Sequence, residues 1–167
     1  MIENFGLLDG AAHGTKIFLM SRDEFTGWLE KASNAQKTWI TVQGFIAKPG
    51  KAITFAKNNG QIEFGIGIYG DHAVWDGASI AANLPNGQWQ FFGYKSDISD
   101  ELTECLALGW SLGQYRFQKY RTTTVSPINY LVIPKTVNAP RLLGQVQGIY
   151  LCRDLINLPP NHMTPAA

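Results

Sequence analysis

The sequence predicts an α/β fold with a mixed sheet, and three observations predict it. A strand-length apolar run, Thr15–Met20, passes straight into a helix-start signature, Ser21-Arg22-Asp23-Glu24. An Asn-Gly hairpin signal, Asn58-Asn59-Gly60, joins two further strand-like runs. A buried-type run, Asn129–Ile133, lies between two long helical patterns. Strands interleaved with helices in this order argue for helices packed on a sheet within one domain.

Each element has a local reason. In the first helix the Ser21 hydroxyl is placed to accept from the Glu24 amide while the Glu24 carboxylate reaches back, a capping box. Phe25, Trp28 and Leu29 then follow at helical spacing. Gln36–Gln43 fits strand or helix, and Gly44, suited to a helix C-cap, favours helix. Ala52–Lys57 and Gln61–Tyr69 are the arms of the hairpin. The second arm alternates Ile62, Phe64, Ile66 and Ile68 with Glu63, Gly65 and Gly67, giving one greasy face and one small enough for close packing.

His72–Asn83 predicts a short helix, ended by Leu84-Pro85-Asn86-Gly87, and Gln88–Tyr94 an aromatic strand. Ser99 caps a long helix that opens with Asp100, Glu101 and Glu104 and closes with Arg116, Lys119 and Arg121, charges that suit the dipole at each end. Its expected buried stripe is Leu102, Leu106, Gly109, Trp110, Gly113 and Phe117, the glycines permitting close approach. Ala139-Pro140 starts a second long helix, proline fitting the first helical position, and Pro159-Pro160 stops it after Asn157.

A chain of 167 residues, 45% hydrophobic and 16% charged, has ample core for one domain and too little charge for disorder. No apolar run approaches the roughly 20 residues of a membrane helix, and Met1-Ile2-Glu3-Asn4-Phe5 lacks the basic start of a secretory signal. The expectation is a soluble, cytoplasmic protein with no membrane partner. Cys105 and Cys152 fall in helical segments and are expected as small buried thiols in a reducing compartment. Net charge is +1, yet the span from Cys105 to Arg153 holds no Asp or Glu and carries Arg116, Lys119, Arg121, Lys135, Arg141 and Arg153. A basic third offers a surface to nucleic acid or an acidic partner; a solvated face is the plainer reading.

Few residues assemble chemistry. Gly65-Ile66-Gly67-Ile68-Tyr69-Gly70 matches G-x-G-x-x-G literally, but a dinucleotide site needs those glycines in a strand-to-helix turn. Here two lie inside an alternating strand, so a glycine-lined strand face is the better reading, with nucleotide binding the alternative. Asp71, His72 and Asp76 could be imagined as metal ligands, yet a site needs three or four convergent groups. His13 and His162 are far away in sequence, and Asp71 as a helix cap is preferred. No nucleophile elbow, P-loop or H-E-x-x-H occurs.

The carboxy-terminal stretch is more specific. Arg153-Asp154-Leu155-Ile156-Asn157-Leu158-Pro159-Pro160-Asn161-His162-Met163-Thr164-Pro165 resembles the signature R-D-L-x-N-x-P-x-N-x-M-x-P of leucyl (cytosol) aminopeptidases. Upstream, Gly109-Trp110-Ser111-Leu112-Gly113-Gln114-Tyr115-Arg116-Phe117, then Tyr120-Arg121, is similar to that family's G-x-x-L-G-x-Y-x-F-x-x-Y-K helix, with Arg121 in place of the lysine. Leu84-Pro85-Asn86-Gly87-Gln88-Trp89 matches only in pattern. Asn157 and Asn161 flank prolines and are placed to bond backbone groups that the prolines strand. Arg153 and Asp154, a turn before the end, suit contacts with a following domain.

The resemblance implies a macro-domain-like, three-layer α/β/α amino-terminal domain over residues 1–150. Residues 151–167 would close the interdomain helix and open the catalytic domain. Family members hydrolyse the amino-terminal residue of peptides with two divalent metals, zinc, manganese or magnesium, that bridge a water nucleophile. Their ligands lie in a Gly-Lys-Gly run followed by Phe-Asp and in Asn-Thr-Asp-Ala-Glu-Gly-Arg, neither of which occurs here. No catalytic, cofactor-binding or metal residue is therefore carried over to this chain. The implied partners are the catalytic domain of the same polypeptide, the other subunits of a hexamer and the peptide substrate, with a role in subunit contacts or substrate access. The competing readings are a macro-like module for nucleotides or ADP-ribose and a nucleic-acid-binding domain. Leu151, Leu155 and Ile156 are expected as exposed apolar surface on the last helix.

Overall fold

The computed structural model describes residues 5–95, 98–117, 119–120 and 129–159. Strands and helices alternate through them as β1 (Leu7–Leu8), β2 (Thr15–Met20), α1 (Arg22–Lys31), α2 (Asn34–Val42), β3 (Ala52–Ala56), β4 (Ile62–Ile68), α3 (Ala73–Asn83), β5 (Gly87–Gly93), α4 (Asp100–Gly113), β6 (Asn129–Val132) and α5 (Ala139–Asn157). The six strands form one sheet in the order β1-β6-β5-β2-β4-β3. Neighbours pair in parallel except β3 with β4, the arms of the hairpin. The mixed α/β sheet is present, with its one antiparallel strand at an edge.

Successive side chains of a strand point to opposite faces, and β2 shows what each face meets. Ile17 and Leu19 join Ile80 of α3, Leu106 and Trp110 of α4, and Leu142 and Val146 of α5. Met20 joins Phe25 of α1, Ile40 of α2 and the alternate residues Ile66 and Ile68 of β4. Helices therefore cover both faces, which makes the three layers. The glycine face of β4 is as tightly filled as its greasy face. A Cβ on Gly67 would lie 3.2 Å from Ile17, Leu19 and Ile80, and one on Gly65 would lie 3.3 Å from the Trp89 ring.

Local chemistry sets the element ends. The Ser21 box forms as expected, Ser21 Oγ accepting from Glu24 N and Glu24 Oε2 accepting from Ser21 N. A second box, Ser33 with Gln36, starts α2 and resolves the ambiguous run as helix. Gly60 sits at φ 81° in the hairpin turn, a conformation that only glycine adopts freely. Three expectations need correction. The long helix ends at Gly113 rather than near Arg121, so Arg116, Phe117 and Lys119 lie beyond it, and the Gln114 and Tyr115 amides turn back to its last carbonyls. The residue capping α3 is His72, without a side-chain bond, and not Asp71. The buried Asp76 carboxylate instead accepts from the Gly70 amide at 2.8 Å, holding the turn into the helix. Cys105 is only partly buried and Cys152 is exposed, on the outward side of α5.

Two contacts fix α4. At Gly77 and Gly109 the backbones of α3 and α4 touch: a Cβ on Gly109 would lie 1.8 Å from the Val74 carbonyl oxygen, and one on Gly77 would lie 2.1 Å from that of Leu106. Beneath them, buried Asn129 donates from Nδ2 to the Ala81 and Leu84 carbonyls at 2.8 and 3.1 Å. Its Oδ1 accepts from the Trp89 indole at 3.3 Å, and its carbonyl accepts from the Trp110 indole at 3.4 Å. The side chain thus ties the end of α3 to β5 and β6, and the backbone carbonyl of the same residue adds α4. Gly109→Ala is expected to destabilise the chain by about 3 kcal/mol or more, since two backbones must separate. Gly144→Ala, where a Cβ meets nothing within 4 Å, is expected to be neutral or to stabilise by up to about 1 kcal/mol. Urea midpoints measure both.

Candidate functional site

The end of a helix leaves carbonyls without the usual helical partners. At α4 the Gln114 and Tyr115 amides take those of Ser111 and Leu112, and side chains from α5 and the following loop add further donors. The Ser111 carbonyl accepts from the Tyr150 hydroxyl at 2.7 Å, that of Leu112 from Arg153 Nη1 at 2.9 Å, and that of Gly113 from Arg116 Nη1 at 3.0 Å. The two guanidinium groups also meet the negative end of the helix dipole, where cations are favoured.

Tyr115, just past the helix, completes the junction. Its hydroxyl donates to Asp154 Oδ1 at 2.7 Å and accepts from Asn157 Nδ2 at 3.2 Å. The Arg153 guanidinium lies 5.3 Å from the Tyr115 ring centre. The Tyr115 and Tyr150 rings meet edge to face at 5.0 Å, and Phe5 adds a further edge contact to Tyr150 at 5.1 Å. At its other end α5 is tied to α4 by Arg141 Nε, 3.2 Å from Glu104 Oε1. Burial and the bond to Asp154 raise the Tyr115 hydroxyl above its ordinary value of 10.0. Burial pushes Tyr150 up to about 12. Both stay protonated at neutral pH and remain donors.

The structure therefore joins the two sequence motifs, at Tyr115 and Arg116 on one side and at Arg153, Asp154 and Asn157 on the other. Arg153 and Asp154 make these contacts inside the domain, with Leu112 and Tyr115. Asn157 departs from expectation. Its amide donates to the Arg153 carbonyl at 2.8 Å, while the Leu155 carbonyl, facing Pro159, already accepts from Leu158 N. Leu155 is exposed and Pro159 is the last residue described; Asn161, Met163 and Pro165 lie outside the described residues. Sequence reasoning missed Tyr150, whose partner is 39 residues away.

The other candidate sites do not assemble. Gly65 and Gly67 lie within β4 under Trp89, Ile17 and Ile80, so no turn presents them to a phosphate. Among the described residues no three His, Cys, Asp or Glu side chains come together to hold a metal. Of the basic third, Arg116, Arg141 and Arg153 are engaged within the fold, and Arg121 lies outside the described residues. Among the described residues no helix is long and apolar enough to cross a membrane.

The fold and junction define a three-layer α/β domain whose last helix is latched by Arg153, Asp154 and Asn157 to the end of the preceding helix. The chain belongs to the family "M17 aminopeptidase, N-terminal domain", whose model matches residues 15–134. It is similar to the cytosol aminopeptidase of Coxiella burnetii, with 27% identity and a TM-score of 0.81 over 96% of this chain and 35% of that one. The bottromycin maturation enzyme BotP shares the fold at 19% identity and a TM-score of 0.65, over 93% of this chain and 35% of that one. A mutant of tomato leucine aminopeptidase shares it at 16% identity and a TM-score of 0.60, over 96% and 39%. The chain thus spans little more than a third of the length of these proteins. A comparison with curated protein sequences gives no match.

Because its folded value is raised, Tyr150 contributes stability that is intact below pH 10.0 and lost as the pH climbs through about 12. In a spectrophotometric titration the last phenolate is expected near pH 12, and Tyr150→Phe is expected to remove that step.

Proposed function

We propose that this domain is the non-catalytic, amino-terminal part of a cytoplasmic two-metal aminopeptidase. In this reading its partner is a catalytic domain in the same polypeptide. That domain would hold zinc, manganese or magnesium and remove amino-terminal residues from peptides. The described residues offer no donor set for two metals, so no step of hydrolysis is assigned to them. Residues 1–150 would form the accessory body and 151–167 the connection. A hexameric parent, with this domain serving subunit contacts or substrate access, fits the same reading.

The observation that carries it is the outward face of α5. Gly144, Gly148, Leu151, Cys152, Leu155 and Ile156 recur at i, i+3, i+4 spacing and are all exposed. Leu151 is 59% and Ile156 82% exposed. Glycine inside a helix costs about 1 kcal/mol relative to alanine, yet a Cβ on Gly144 or Gly148 would meet nothing within 4 Å. Nothing described within this chain requires them. Another backbone approaching closely at the glycines, with Leu151, Leu155 and Ile156 covered beside it, supplies a reason.

Two experiments test the proposal. The purified chain is expected to release no leucine from a chromogenic amide with manganese present; turnover that scales with the chain would contradict it. Gly148→Leu is expected to leave the isolated chain as stable or more so, but to lower the melting temperature of the whole enzyme. Equal effects in both would place the glycines' role inside this domain.

A further inference from the structure

A second surface lies on the other helical layer, at the sheet edge formed by β3. Trp39, Val42 and Ile46 are 41%, 71% and 64% exposed, three large apolar side chains on the end of α2 and the loop after it. Between them and β3 runs an open groove of about 380 Å³, lined among others by Trp39, Ile46, Lys48, Lys51, Ala52 and Thr54. The Trp39 indole donates to the Thr54 carbonyl at 2.9 Å, which pins the ring beside the strand. The same bond shows that the backbone of Thr54 turns away from β4. Ala52, two residues earlier, turns its N–H and carbonyl the same way. β3 ends the sheet order, so these groups face the groove rather than another strand of this sheet.

We propose that this groove binds an extended, acidic peptide segment that adds as a strand beside Lys51–Thr54. Backbone pairing at Ala52 gives the affinity common to strand addition. An alternate apolar side chain rests between Trp39 and Ile46, and carboxylates meet the Lys48 and Lys51 ammonium groups. The groove lining holds two lysines and no acidic residue, so the charge selects the partner. A second copy of β3 is disfavoured by the same lysines. Two-fold pairing centred on Thr54 sets Lys51 against Lys57 at both ends, and like charges directly opposed destabilise a strand pair. Lysine at an open edge is a common guard against self-pairing, and here it leaves an acidic strand as the complement. The proposal does not depend on the α5 face or on a catalytic partner.

The test is calorimetric titration of the full 167-residue chain with a capped hexapeptide of alternating glutamate and valine. Controls are its lysine–valine counterpart and a glutamate–valine version N-methylated at every second residue. Binding of the acidic peptide is expected to be at least about tenfold tighter than that of the basic one. The exposed double variant Lys48→Glu/Lys51→Glu, its fold checked by circular dichroism, is expected to reverse the order. N-methylation is expected to weaken binding at least about tenfold, since it removes strand pairing. No heat at millimolar peptide, equal binding of the two charges, or indifference to N-methylation would each overturn the proposal. So would a dimer in sedimentation that tightens with Lys51→Glu, because that result gives the groove to a second copy.

Discussion

The carbonyls at the end of α4 anchor the helix that follows. Those of Ser111 and Leu112 accept from the Gln114 and Tyr115 amides, and each takes a second donor from α5, the Tyr150 hydroxyl and the Arg153 guanidinium. Hydrogen bonds to a charged group contribute about 1.5–3 kcal/mol net, so the Arg153 contact weighs heavily in a domain of ordinary marginal stability. Tyr115 then couples the loop after α4 to Asp154 and Asn157. Because these polar groups all lie on the inward side of α5, the opposite side is left with Leu151, Leu155 and Ile156. The polar latch and the apolar exposed face are two consequences of one helix orientation.

That orientation rests in turn on where α4 lies. Parallel pairing of β5 with β6 makes α4 the crossover between neighbouring strands, so α4 and α5 run side by side in the same direction. Arg141 near the start of α5 reaches Glu104 near the start of α4, and Arg153 near its end reaches Leu112. The depth of α4 is set by the glycines at which it touches α3, and its rotation by Trp110, whose indole is held by the Asn129 carbonyl. A defect at Gly109 would therefore be felt at the latch, although the two do not touch.

Local signals were legible and long-range ones were not. The Ser21 box, the Asn-Gly turn, Pro140 at the start of α5 and the close-approach role of Gly109 each depend on a few neighbouring residues, and each reads directly from the chain. The exposed strip of α5 was legible because hydrophobic spacing shows a face even when it does not show the partner. Arg116 and Lys119 obey the dipole rule for a helix that continues, whereas α4 stops at Gly113, where the Gln114 amide turns back to Ser111 and distant Tyr150 and Arg153 add donors. Asp71 stands where a cap is expected in the sequence, yet the buried carboxylate of Asp76 does the bonding. Asn129 looked like an ordinary strand residue, since nothing local announces that its amide finishes α3. Of the site itself, the motif spelled out the residues but not their direction: Arg153 and Asp154 turn inward.

A double-mutant cycle on Tyr115 and Asp154 tests that direction most directly. Tyr115→Phe, Asp154→Ala and the double variant would be compared by urea unfolding of the chain at neutral pH. The latch predicts that the two changes are coupled by about 1 kcal/mol or more, because either alone already breaks the shared bond. Additivity to within about 0.3 kcal/mol would contradict it.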